Sequence, residues 1–356
     1  MITKTTLFTD RNSNNFDFIR LVAALLVIVT HSSAFLGIKE EDILSKLTRG
    51  TYSFSHLGVA IFFIISGYLI TQSALHSTSW KSFLWKRVLR LIPGLLIVLV
   101  FCAFILGPIV TSEPLYFYFS SKETYRFLSS VFLYIQKYSL PGVFENNAIS
   151  AVNGSLWTLA YEFTLYILVM FGFLLGILKK RNLVLCLWIL FLSFRIYLGH
   201  KYYWYSYASP FAPYLNMMYV FEWSFYFLSG MLVFLYRDIK IVKLKFLLVL
   251  SFAYILLAIL NQVDILKMLN YILVPYIVFY LAFIPGKLNS IGKYGDFSYG
   301  VYIYAFPVQQ ALVYFLGVDI PLNLYILLSI VTTFPFAVAS WFLIEKKALK
   351  YKNIIQ

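Results

Sequence analysis

The stretch Phe16–Leu36, FDFIRLVAALLVIVTHSSAFL, decides how this chain is read. As an α-helix it is long enough to cross a hydrocarbon core of about 30 Å. Yet it carries Asp17 and Arg20 near its start and His31 near its end. Eleven positions separate Arg20 from His31, almost three helical turns, so both side chains leave one face roughly 16 Å apart along the axis. Ionisable groups held in hydrocarbon are costly and face a protein interior or a watery cavity. The helix is therefore expected to line the working site. Asp17, three residues before Arg20 on the same face, equally suits a plain structural pair with it, and His31 suits a hydrogen-bonded core histidine.

Composition extends this reading to the whole chain. Of 356 residues, 61% are hydrophobic, 20% aromatic and only 12% charged. Mean hydropathy is +0.80. Soluble domains carry about 25% charged residues, so a soluble globular protein is excluded and a polytopic membrane protein is expected. The net charge of +14 would suit nucleic acid, but the basic residues fall in short clusters between apolar runs, a pattern of membrane orientation, and no nucleic-acid partner is expected. Cys102 and Cys186 both lie inside apolar runs, forming neither a disulfide framework nor a metal site, and no metal is expected. The first fifteen residues are polar, and the run after them keeps Arg20 and His31 and lacks a small-residue cleavage signature. It reads as an uncleaved first span.

Apolar runs of about twenty residues give ten spans, roughly 16–36, 56–75, 91–110, 153–176, 183–199, 214–236, 245–260, 268–284, 298–316 and 322–344. The segment 120–136 is a further short or re-entrant candidate. The expectation is an all-α integral membrane protein, a single domain over 1–356 with short tails at 1–15 and 345–356. Between spans, about 19 Lys and Arg fall on one side and about eight on the other, where most loop acids also lie. By the positive-inside rule both termini are cytoplasmic, Arg20 near the inner face and His31 near the outer face.

Several constellations carry chemistry. An imidazole such as His31 takes a proton from an attacking hydroxyl near neutral pH, as acyl transfer to an alcohol requires. In WKSFLWKRVLRLIPG, Trp80–Gly94, Arg87 and Arg90 share one helix face beside Lys81 and Lys86. Paired guanidinium forks suit phosphate oxygens, and the same residues suit inner-leaflet anchoring. In NGSLWTLAYEFTLY, Asn153–Tyr166, Glu162 lies well inside a span, and Glu222 within FEWSFYF is a second buried carboxyl. A carboxylate of this kind orients an imidazole or relays protons, and the sequence leaves open which acid serves which role. Trp157 in the same motif is a further candidate. LGVAIFFIISGYLIT, Leu57–Thr71, offers Gly58 and Ser66-Gly67 for close helix approach, with Ser66 and Tyr68 as candidate site residues. GDFSYGVYIYAFP, Gly295–Pro307, adds Tyr299. The loop 111–152 is dense in Tyr, Phe and Ser, which suits sugar stacking and also an ordinary membrane interface.

Together these stretches resemble the acyltransferase 3 family of membrane acyltransferases over nearly the whole chain, in order: the Arg-ten residues-His pattern at Arg20 and His31, IFFIISGYLIT, the RVLR pair before IPG, SLWTLAYEF, SYGVYIYAFP and WFLIEKK. The resemblance implies a ten-span bundle in the bacterial cytoplasmic (inner) membrane that moves an acyl group, usually acetyl from acetyl-CoA, to a hydroxyl of an extracytoplasmic glycan. Lipopolysaccharide O-antigen, capsule and exopolysaccharide, lipid-linked or not, are the acceptor class. It implies that Arg20 and His31 are the essential first-helix pair, that Glu162 is the acid of the SLW-to-EF motif and catalytic with them, and that Arg87 and Arg90 hold the CoA donor. A carboxyl such as Glu162 is expected to orient His31, and which acid does so is left open. The chain lacks the appended SGNH-type domain of some members, which favours the type that acts alone, as a homo-oligomer, or with a separate acyl-accepting partner. Direct transfer and an acyl-enzyme on Ser66 or a tyrosine both remain open.

The rival from another class is a proton-coupled secondary transporter or lipid-linked glycan flippase. It requires inverted repeats with paired broken helices, a symmetry the sequence does not display.

Overall fold

The computed structural model describes residues 14–40, 42–48, 50–198, 208–209, 212–239 and 242–355. Lys4, Arg11, Arg49, Lys201 and Lys240, which contribute to the orientation reading, lie outside the described residues.

The long apolar runs become long helices because lipid supplies no hydrogen bonds, so each crossing segment must satisfy its own backbone. In chain order they are α1 Phe16–Phe35, α2 Phe54–Leu75, α3 Trp80–Phe101, α4 Trp157–Leu174, α5 Arg181–Leu198, α6 Met217–Leu235, α7 Leu244–Ile259, α8 Val263–Ala282, α9 Ser298–Leu316 and α10 Leu322–Ser340. Among the described residues, seven segments are long and apolar enough to cross a membrane: those of α1, α2, α3, α4, α6, α8 and α10. Helix α7 is apolar but only 16 residues long. Helix α9 buries Gln309, Gln310, Tyr299, Tyr302 and Tyr304, which lower its apolarity. The molecule is an all-α multi-pass membrane protein, apart from a small antiparallel pairing of Ala208–Ser209 with Ala212–Asn216.

Helix α3 begins eleven residues before the expected span at 91, because WKSFLWKRVLR continues the same helix from a Ser79 cap that accepts from Ser82 N. Its far end passes through a π-helical turn, Cys102–Leu106, into Gly107–Val110. The segment 120–136 holds only short turns, Lys122–Arg126 and Phe127–Phe132, within a loop tied by a bridge between Thr111 and Val143.

Helix α2 is the centre of the bundle. Among apolar helices in lipid, close van der Waals fit replaces the hydrophobic drive, and small residues permit it. A Cβ on Gly67 would strike the Phe227 carbonyl, and one on Gly230 would strike the Ile64 carbonyl, so α2 and α6 cross with their backbones in near contact. On its other side Gly58 lies against the Ala23 carbonyl of α1. The close-approach reading of Gly58 and Gly67 therefore holds. Where α1 ends and α2 begins, Asp42 Oδ2 accepts from Thr30 Oγ1 and from Phe54 N, both at 2.7 Å, and Ser55 N donates to Thr30 Oγ1 at 2.8 Å. These bonds fix the residues next to His31 against the start of α2.

Candidate functional site

Arg20 projects from the first turns of α1 and Arg90 from the early part of α3, and both reach one acid. Asp296 Oδ2 accepts from Arg20 Nη1 at 2.7 Å and from Arg90 Nη2 at 2.6 Å, while its Oδ1 accepts from Ser298 Oγ at the start of α9. Glu345 lies 3.8 Å from Arg90 Nη1 and accepts from Ser340 Oγ at 2.8 Å. A π-helical turn, Trp341–Glu345, aims it there, in keeping with the association of π turns with working sites. Both acids are almost fully buried, so the two guanidinium charges are neutralised inside the bundle. Asp17, which the sequence offers as a structural pair for Arg20, lines the same cavity as Arg20, with its carboxylate beside Gly292.

This cluster forms one wall of a cavity of about 760 Å³. Eight of the residues singled out in the sequence line it: Asp17, Arg20, Ser66, Tyr68, Arg87, Arg90, Glu162 and Tyr299. Glu162 Oε1 accepts from Ser66 Oγ at 3.0 Å and also from the Tyr166 hydroxyl. A serine hydroxyl held on a carboxylate is a pair that can pass a proton and free an oxygen nucleophile. Tyr299 donates to the Leu91 carbonyl at 2.7 Å and places its ring 5.7 Å from the Arg90 guanidinium. Tyr68 packs among Phe16, Phe234, Phe279 and Phe283.

The two RVLR arginines differ. Arg87 donates to Ser73 Oγ at 3.2 Å and lies between the rings of Phe83 and Tyr166, and among the described residues its buried Nε has no acceptor. Lys86 and Lys352 line the same cavity, and among the described residues no carboxylate forms an ion pair with Lys86, Arg87 or Lys352. Lys352 comes from the C-terminal turn Leu349–Asn353, held on α3 by a bond from Trp85 Nε1 to the Tyr351 carbonyl at 2.9 Å. Lys86 donates to Ser77 Oγ at 3.3 Å, so it and Arg87 meet hydroxyls rather than carboxylates. Cations at a cavity wall that keep their charge uncompensated suit an anionic ligand such as a phosphate ester.

The remaining candidates sit away from the cavity. His31, half-exposed at the far end of α1, places Nδ1 3.1 Å from Glu40 Oε1. The carboxyl beside His31 is thus Glu40, and Glu162 is occupied in the cavity. A carboxylate beside an imidazole fixes its orientation and stabilises the imidazolium that forms on proton uptake. Glu222 pairs with His56, Oε1 to Nε2 at 3.2 Å, and Trp157 packs against Tyr161, Tyr219 and Trp223.

Asp296, Glu345, Glu40 and His56 were missed in the sequence. The first two lie inside the quoted motifs GDFSYG and WFLIEKK, where an acid in a run otherwise apolar or aromatic was the available signal.

A family model described as an acyltransferase domain matches residues 13–342. An O-acetyl transferase of Shigella phage Sf6 is 31% identical over 349 residues, covering 95% of this chain and 96% of that protein. Nodulation protein 10 of Rhizobium leguminosarum bv. viciae is 35% identical over 164 residues, 43% of this chain and 42% of that protein. No solved structure matches the chain.

Proposed function

Because the chain belongs to the acyltransferase 3 family, and is thereby an acyltransferase enzyme of the O-acetyltransferase kind, we propose that it carries an acetyl group from acetyl-CoA to a hydroxyl of a surface glycan. The acceptor class is O-antigen, capsule or exopolysaccharide, free or lipid-linked. The observation that carries the reading is the cavity in which Lys86, Arg87 and Lys352 lack carboxylate partners while Ser66, Glu162 and Tyr166 meet deeper among the helices.

In this reading the phosphates of CoA rest on the three cations, and the pantetheine arm runs inward along α2 toward Ser66. Arg20 and Arg90, fixed on Asp296, shape the wall and present positive charge to the thioester oxygen as negative charge develops. At the His31 end His31, held by Glu40, takes the proton of the acceptor hydroxyl, whose oxygen attacks the acetyl carbonyl. The ester C–O bond forms as the thioester C–S bond breaks, and CoA leaves as the thiol with the proton that His31 gives up. The cavity end is cytoplasmic and the His31 end external, in a ten-span bundle with both termini inside the bacterial inner membrane. The excess of Lys and Arg in the loops of the cavity side supports that orientation.

The test is transfer of labelled acetyl from acetyl-CoA by the purified full chain in lipid nanodiscs to glycan extracted from a strain that lacks the gene, read by mass spectrometry. The expected result is an added acetyl mass that depends on donor and enzyme, falling roughly 10²–10⁴-fold in His31→Ala. No acetyl mass on any glycan would sink the reading, and wild-type transfer by a folded His31→Ala protein would remove His31 as the base.

A further inference from the structure

Helix α2 extends the cavity toward a second polar cluster. Val59, Phe63, Ser66, Ile70 and Ser73 line the cavity at intervals of three and four, a single helical face. His56 stands on that same face, one turn before Val59, in the first turn of α2 where Ser53 caps the helix by accepting from His56 N. The imidazole is 29% exposed and its Glu222 partner 18%, so both are reachable from outside the bundle. Rings enclose the pair. Tyr52 lies 4.6 Å from the imidazole and Trp223 5.1 Å, while Trp223 stacks on Phe63 at 5.1 Å. Trp157 and the exposed Tyr219, with ring centroids 5.1 Å apart, continue this aromatic surface outward.

Trp223 distinguishes the cluster from an interfacial belt. Belt tryptophans keep the indole N–H at the wet interface, whereas Trp223 is 2% exposed and, among the described residues, its Nε1–H meets no acceptor. A buried donor left without an acceptor is rare and calls for a ligand or an ordered water. An acid, an imidazole and an indole donor beside flat rings form the combination that grips a sugar: hydroxyls bond to the polar groups, and the apolar face of the pyranose stacks on the aromatics.

We propose that His56, Glu222 and Trp223 form a subsite for the saccharide ring of the acceptor, with Trp157 and Tyr219 as its stacking wall. Its place fits the chemistry, because the bond from Ser55 N to Thr30 Oγ1 joins the neighbours of His56 and His31 directly. A sugar seated there presents its hydroxyls beside the His31 end of α1. The subsite rests on the reading of this chain as a glycan acetyltransferase, but its ligand binding is measured without donor or transfer.

Saturation-transfer NMR on the full chain in nanodiscs, with methyl glycosides of glucose, galactose, mannose and N-acetylglucosamine as probes, tests it. Wild type is expected to bind at least one of them, and Trp223→Phe, which keeps an aromatic ring but removes the donor, to bind it about tenfold more weakly, the scale of one hydrogen bond at a buried site. Glu222→Gln and Tyr219→Ala should weaken it also, with acetyl-CoA binding at the cavity unchanged in all three as the check on folding. No signal from any glycoside, or equal signals from wild type and the three variants, would overturn the subsite. Glycoside binding that is lost in the variants, in a protein that transfers no acetyl group, would keep the subsite and sink the acetyltransferase reading instead.

Discussion

The two ends of the bundle solve the problem of charge in a membrane in opposite ways. At the Arg20 end, two guanidiniums are neutralised by Asp296, in the segment just before α9, and Glu345, in the π turn after α10, acids almost wholly buried. At the His31 end, imidazoles meet acids that keep some exposure, His31 with Glu40 and His56 with Glu222. A buried pair is costly to break because the surviving charge has no water, whereas a half-exposed pair can exchange partners and protons cheaply. The first end is thus expected to hold its shape and the second to exchange partners more readily. Mutations should separate the two.

Asp296→Ala carries the largest expected effect. It strips the shared acceptor from Arg20 and Arg90 at once, and breaking a buried pair from one side costs about 3–5 kcal/mol. Thermal unfolding of detergent-purified protein should show a large loss of stability, partly recovered when Arg20→Met removes the charge left without an acid, since Arg90 keeps Glu345. An unchanged melting curve would mean that charge neutralisation does not hold this end together.

The RVLR pair divides within the same end. Arg90 is tied to Asp296 and Glu345, while Arg87 among the described residues meets only Ser73 and two rings. Hydrogen bonds to a charged group contribute about 1.5–3 kcal/mol, so Arg87→Gln should weaken acetyl-CoA binding by roughly 10–100-fold in calorimetry and leave the melting curve nearly in place. Arg90→Gln should lower both. Equal behaviour of the two variants would erase the distinction.

That distinction marks the limit of what was legible beforehand. The long helices were readable because lipid demands long apolar runs, and the residues of the cavity because charge in such runs needs a reason. Which acid meets which base was not. Arg20 and Asp296 are 276 positions apart, and their meeting depends on how α1, α3 and α9 pack, which no local pattern encodes. Glu162 was expected beside His31, but its partners are Ser66 across the α2–α4 contact and Tyr166 one turn along its own helix. The third apolar span was bounded at 91, although the helix that carries it starts at Trp80, because WKSFLWKR is amphipathic and an apolar-run criterion passes over it.

Between the two ends stands the crossing of α2 with α6. Gly230→Ala would press a methyl group into the Ile64 carbonyl, an overpacking that costs about 1–3 kcal/mol. Since α2 carries Ser66 on the cavity and His56 at the other end, the variant should weaken acetyl-CoA binding and glycoside binding together. Loss of only one would show that the ends are held in register by other helices.

The smallest effect is expected where a salt bridge belongs to neither end. Arg181 donates to both carboxylate oxygens of Asp238, at 2.9 and 2.8 Å, and stacks on Tyr236, all at an exposed turn. That hydrogen bond holds the Asp238 carboxyl below its usual range. A carboxyl whose folded value is depressed stabilises the fold above its unfolded value, near 3.9, and loses that contribution as pH falls through the folded one. Melting of Asp238→Asn should therefore differ only slightly from wild type at pH 7, and the difference should fade as pH drops through the lowered folded value and in high salt, because solvent screens an exposed pair. A loss matching that of Asp296→Ala would mean that burial does not decide the strength of these pairs, and the contrast between the buried end and the half-exposed end would lose its physical basis.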